Sequence, residues 1–133
     1  MPEPGNPIDK YLDRDERFNT SEEIRDFFNL LKETGIFKDH PDAFIASMSL
    51  GITYDKFVKA EHRVGLMILP VYRSHDPNGV FPLLVKALHP ELDKEALARR
   101  MEDYAVQGAM MLKEQYEKLG KIDFELFLSL AKP

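Results

Sequence analysis

The chain has 133 residues, 44% of them hydrophobic and 31% charged, with 18 basic against 23 acidic residues, a formal net charge of −5 and no cysteine. Length and apolar content suit one domain around one core, and the missing cysteine excludes a disulfide framework, a thiolate nucleophile and cysteine-ligated zinc. The opening MPEPGNPIDK lacks an apolar stretch of signal-peptide length, and the longest apolar run, Val64 to Val71, is too short to span a bilayer, so a cytoplasmic protein with no membrane contact is expected.

Residues 1–7, MPEPGNP, hold three prolines and a glycine, which predicts a flexible N-terminal tail ahead of a single domain over residues 8–133. Ile8, Tyr11, Leu12 and Phe18 then recur at helical spacings. They predict a short amphipathic helix with Asn6 as N-cap and Pro7 at its first position, packed on its own domain or reaching to a partner subunit. In TSEEIRDFFNLLKETG, Ile24, Phe27, Phe28 and Leu31 fall at i, i+3, i+4 and i+7. Thr20 and Glu23 read as a capping box, and Gly35 as the helix stop.

The stretch from Ala43 to Gly51 contains no ionisable group. Asp39 and His40 can cap, Pro41 suits a first turn and Gly51 a stop, so Pro41 to Leu50 is predicted as a helix. Its Phe44, Ile45, Met48 and Leu50 point to different sides, separated by Ala43, Ala46, Ser47 and Ser49. A helix apolar all round belongs in the middle of a domain, where its small residues admit neighbouring helices.

Phe57, Ala60, Val64, Met67 or Ile68, and Val71 recur every three or four residues, predicting a helix from about Tyr54 to Tyr72, bent or broken by Gly65 and Pro70. Val64, Leu66 and Ile68 also alternate, which is the pattern of a strand. SHDPNG, Ser74 to Gly79, is turn chemistry, and VFPLLVKALH reads as a short, mostly buried helix. From Asp93, a natural N-cap, Leu97, Met101, Tyr104, Ala105, Gly108, Met111, Leu112, Tyr116 and Leu119 follow one helical face to a stop at Gly120. Gly108 lies on that apolar stripe, which predicts close packing against its bare backbone. A last helix capped by Asp123 would present Phe124, Phe127 and Leu128 to the core.

For chemistry, His40, His62, His75 and His89 include no i, i+4 pair of the kind that places two metal ligands on one helical face. No serine has the glycine-flanked hydrolase elbow, and neither GxxxxGK[ST] nor GxGxxG matches. Asp13, Asp15 and Glu16 alternate with Arg14 and Arg17, a solvated face without the glycine and closing glutamate of a calcium loop. Only residues 52–90 lean basic, with 5 basic and 3 acidic residues. There Lys56, Lys59, Arg63 and Arg73 are interleaved with Tyr54, Phe57 and Tyr72, a mixture on which single-stranded nucleic acid can stack.

RDFFNLLKETGIFKDHPDAFIASMSLGI, followed downstream by RRMEDYAVQGAMMLKEQYEKLGKIDFELFLSL, resembles the small proteins associated with DNA phosphorothioation (Dnd) gene systems. The resemblance rests on Phe37, Phe44, Leu50 and Gly51, then on Tyr104, Ala105 and Gly108, and the two passages cover about 60 of the 133 residues. It implies an accessory role in DNA modification and defence.

The sequence therefore predicts an all-α, compact single-domain bundle of six or seven helices around a buried central helix. The expected function is that of a non-catalytic accessory protein acting through protein contacts, with a partner or with itself. The expected contact residues are Ile8, Tyr11, Leu12, Leu66 and Leu69. A first alternative is a nucleic-acid-binding factor using Lys56, Lys59, Arg63 and Arg73. A second is a small metal-dependent hydrolase built from loop histidines. No residue set for catalysis, a cofactor or a metal stands out.

Overall fold

A computed structural model describes residues 7–131. The tail expected over residues 1–7 and the Asn6 cap thus lie, Pro7 apart, outside the described residues, as does the side chain of Leu128. A 3-10 turn, Pro7–Lys10, opens the described chain. It is followed by β1 (Arg17–Ser21), α1 (Glu22–Glu33), α2 (His40–Tyr54), β2 (Arg63–Ile68), α3 (Leu69–Arg73), α4 (Val80–Leu88), α5 (Lys94–Leu119) and α6 (Phe124–Ala131).

The all-α expectation is corrected by β1 and β2, which pair antiparallel into a two-stranded sheet on a helix-dominated frame. Phe18, expected on a helix, lies in β1, where Phe18 and Thr20 turn inward and Arg17 turns out, the period-two alternation of a strand. The helix expected from Tyr54 to Tyr72 is replaced by a loop, β2 and the short α3. Gly65 weakens a helix by about 1 kcal/mol, whereas in β2 it sits opposite Asn19. Pro70 opens α3 at a first-turn position instead of bending a longer helix. Leu66 is the extra residue of a bulge, because Phe18 pairs with Met67 and Asn19 with Gly65.

Two helix ends also move. Ser21, not Thr20, caps α1, its Oγ accepting from the Ile24 N–H at 3.2 Å, while Thr20 belongs to β1. The stripe of Ile24, Phe27, Phe28 and Leu31 is buried as its spacing requires. Asp39 caps α2 as expected, accepting from the Asp42 N–H at 3.1 Å. The helix does not stop at Gly51, however. It continues to Tyr54 and ends on Asp55, which takes the left-handed conformation with φ of 50°.

Gly51 serves a different purpose inside α2. A Cβ there would lie 2.3 Å from the Tyr104 carbonyl oxygen of α5, and a Cβ at Gly108 of α5 would lie 1.7 Å from the Ser47 carbonyl oxygen of α2. Ser47 and Gly51 are one turn apart on α2, as Tyr104 and Gly108 are on α5. The two helices therefore run antiparallel with their backbones in direct contact at two successive turns. Ala43, Phe44, Ser47, Met48 and Leu50 are buried around this crossing, which makes α2 the central helix. One aromatic cluster joins the sheet to it: Phe18 lies 5.2 Å from Phe44 and 4.9 Å from Tyr72, ring centre to ring centre. Among the described residues no helix is long and apolar enough to cross a membrane.

Alanine at Gly108 must push α5 off the backbone of α2, whereas alanine at Gly65 meets nothing within 4 Å. Urea denaturation should therefore show Gly108→Ala destabilised by at least about 2 kcal/mol and Gly65→Ala changed by less than about 1 kcal/mol.

Candidate functional site

The sequence of α4, VFPLLVKAL, contains one charged residue and no acidic one. Its first turn is held by Asp76, a buried aspartate whose Oδ1 accepts from the Val80 N–H at 2.8 Å and whose Oδ2 accepts from the Phe81 N–H at 3.2 Å. Tyr72 donates its hydroxyl to the same carboxylate at 2.8 Å. Burial first, and then the Asp76 charge and hydrogen bond, raise the Tyr72 hydroxyl pKa, so it stays a donor.

With its start fixed this way, α4 turns Pro82 and Val85 inward. Val80, Leu83, Leu84 and Leu88 stay 43–49% exposed. They occupy i, i+3, i+4 and i+8, a single apolar stripe facing outward. The expectation of a mostly buried helix is corrected here: α4 packs by one narrow edge against α5 and leaves its broad apolar side uncovered.

The stripe leads at its C-terminal end into a polar knot. His89 ends α4, and its ring packs edge-on against Phe57, 5.7 Å away, in the loop after α2. Phe57 and Val58 are themselves exposed, and the Arg100 guanidinium lies 4.1 Å above the Phe57 ring. Arg100 Nη1 is 2.9 Å from His89 Nδ1, and His89 Nε2 is 2.8 Å from Tyr104 Oη. Tyr104 Oη in turn donates to Asp55 Oδ1 at 3.0 Å. A guanidinium only donates, so Nδ1 accepts and the imidazole proton sits on Nε2. Burial, then the Asp55 hydrogen bond and charge, pushes the Tyr104 hydroxyl up to about 12, against the pull of Arg100. The chain Arg100, His89, Tyr104, Asp55 thus has one proton direction throughout, and it locks the end of α4 to α5 and to the end of α2.

The four cations expected at a nucleic-acid surface do not share one environment. Lys56 and Lys59 are exposed in the loop between α2 and β2. Arg73 pairs with Asp9 at 3.0 Å. Arg63 is drawn onto α5, where Nη2 meets Asp103 at 3.0 Å and Nη1 meets Glu102. Of the expected partner contacts, Ile8, Leu12 and Leu69 are in the core, and Tyr11 and Leu66 are partly buried against it. Ile68 and Val71, within the apolar run Val64 to Val71, are exposed, as is Phe57, which the sequence places among the cations, whereas the outward residues of α4, Val80, Leu83, Leu84 and Leu88, were not expected. Their one signal in the sequence was that α4 carries a single polar residue, Lys86.

Glu102 is the buried centre of the charge network beneath the sheet. It accepts from the Asn19 N–H of β1 at 2.8 Å and from Arg99 Nη1 at 3.1 Å, in addition to Arg63. Arg99 also binds Glu16 and the Arg17 carbonyl. Burial pushes the Glu102 carboxyl up to about 7, opposed by the Asn19 N–H, Arg99 and Arg63.

No family model, curated protein or solved structure matches this chain.

An acid whose pKa is higher folded than unfolded binds more protons in the folded state. The stabilisation Glu102 supplies by taking up its proton is thus complete below pH 4.5 and lost above about pH 7. Chemical denaturation across this range should show the stability of the protein relative to its Glu102→Gln variant falling by roughly 3 kcal/mol as pH rises. A difference that stays flat with pH would contradict the assignment.

Proposed function

We propose that the protein is a non-catalytic interaction module that docks through the outer face of α4, and that its first partner is a second copy of itself. The observation that carries this reading is the inverted helix: four large apolar side chains of α4 stand 43–49% exposed while the opposite edge is packed. Contiguous apolar surface of this kind gains free energy when covered, about 25 cal/mol per Å².

Charge favours self-pairing. The chain carries a net −5, so two copies repel each other overall. The α4 stripe bears no charge, and two copies can meet there about a two-fold axis without bringing like charges together. A nine-residue helix is about 13 Å long. Even with Phe57 and Val58 added, it offers less than the ~800 Å² per partner of a standard stable interface, so the association is weak. The accessory role in DNA modification and defence implied by the sequence resemblance is compatible with such a module. The nucleic-acid alternative finds less support, because two of its four cations are already closed onto carboxylates.

Light scattering between about 10 µM and about 1 mM should show the mean mass rising above that of the monomer, with a dissociation constant in the upper micromolar range. Leu84→Glu should return the protein to monomer with its helical circular dichroism unchanged, while Met110→Glu, on the exposed side of α5, should not. A constant monomer mass throughout, or a dimer indifferent to Leu84→Glu, would remove the reading.

A further inference from the structure

Asp39 and Asp42 stand three residues apart across Pro41, which puts both carboxylates on one side of the first turn of α2. Asp39 caps the helix with Oδ1 and turns its other oxygen, Oδ2, to His75 Nε2 at 3.3 Å. Asp42 Oδ1 lies 2.9 Å from His75 Nδ1. The histidine comes from the separate turn between α3 and α4. That turn is fixed by the His75 N–H on the Tyr72 carbonyl at 2.9 Å and by the buried Asp76 beside it. One ligand atom from each of the three residues can be chosen so that all lie within 4.8 Å of one another.

Helix capping explains one oxygen of this group and no more. The cap uses Asp39 Oδ1, whereas Asp39 Oδ2 faces His75 Nε2 and Asp42 Oδ1 faces His75 Nδ1, so the two carboxylates flank the ring and an ion would take one of its two nitrogens. Among the described residues neither carboxylate forms an ion pair with a lysine or arginine. Two anions brought together repel, and the groups seen to offset them are the start of α2 and His75, which comes from a distant segment.

We propose that Asp39, Asp42 and His75 form a binding site for a divalent metal ion of the zinc type. One imidazole nitrogen with two carboxylate oxygens is a donor set of borderline character, suited to zinc and its transition-metal neighbours. Calcium and magnesium prefer oxygen-only cages of six or more ligands. The three side chains are 26–39% exposed, so an ion can enter and water can complete a four-coordinate shell. Joining the start of α2 to the turn ahead of α4, the ion would clamp two segments that the chain brings together only on folding. This inference is independent of the docking role of α4.

The test is calorimetric titration of chelator-stripped protein with zinc chloride, repeated with magnesium chloride, and visible absorption with cobalt chloride as a coordination probe. The site predicts one zinc ion per chain with a dissociation constant below about 100 µM, no magnesium uptake in that range, and a melting temperature raised by about 4 °C or more at saturating zinc. His75→Ala and Asp42→Asn should each weaken zinc binding at least tenfold and abolish the cobalt bands, whereas His62→Asn, at an exposed histidine with φ of 50°, should bind as the parent does. Circular dichroism of the metal-free variants separates loss of ligand from loss of fold. Absence of zinc uptake up to about 1 mM, or uptake unchanged in both His75→Ala and Asp42→Asn, would overturn the proposal.

Discussion

The structure depends on the contact between the backbones of α2 and α5. Helices separated by ordinary side chains lie 8–10 Å apart, but here Gly51 faces the Tyr104 carbonyl and Gly108 faces the Ser47 carbonyl with no room for a methyl group between them. Each helix therefore contributes one glycine and receives the other's, one turn apart, and the antiparallel register of the pair is set at two points. Every other element is placed relative to this axis. The sheet and α4 lie against α5, and α1 packs against both members of the pair.

Around that apolar axis the polar groups act as fasteners. Glu102 reaches from α5 to the backbone of β1 and gathers Arg63 from β2 and Arg99 from its own helix. A two-stranded sheet is marginal alone, and this one is tied to α5 through Glu102 and to α2 through the packing of Phe18 on Phe44. At the other end, the relay from Arg100 through His89 and Tyr104 to Asp55 holds the end of α4, while Asp76 holds its beginning. α4 is thus fixed at both termini and only lightly packed between them. Held at both ends in this way, α4 presents its apolar stripe, Val80, Leu83, Leu84 and Leu88, to solvent while Pro82 and Val85 face inward.

The same division separates the cations of residues 52–90, of which Lys56 and Lys59 stay exposed. Arg63 and Arg73 are used internally, one against Glu102 and Asp103 and the other against Asp9. Charge density in the sequence overstates charge density on the surface whenever distant carboxylates fold onto the basic stretch.

Local sequence determined whatever local physics could enforce. The ends of α5, Asp93 and Gly120, its stripe from Leu97 to Leu112, the buried face of α1 and the Asp39 cap of α2 are all set within a few turns by periodicity and capping, and they stand where the sequence places them, whereas Leu119 at the end of the stripe is half exposed. The uncharged run from Ala43 to Gly51 marked the central helix, because no face of it could be given to water. Tertiary structure alone decided the rest. β1 and β2 are joined across α1 and α2, so their alternation had no visible partner, and the helical spacing of the same residues competed with it. Gly51 reads as a stop until the Tyr104 carbonyl is seen against it. The meeting of His75 with Asp39 and Asp42, and the outward turn of Leu83, Leu84 and Leu88, likewise follow from how α2, α4 and α5 are set against one another. A side chain's partners across long stretches of chain depend on that packing, which no run of neighbouring residues encodes.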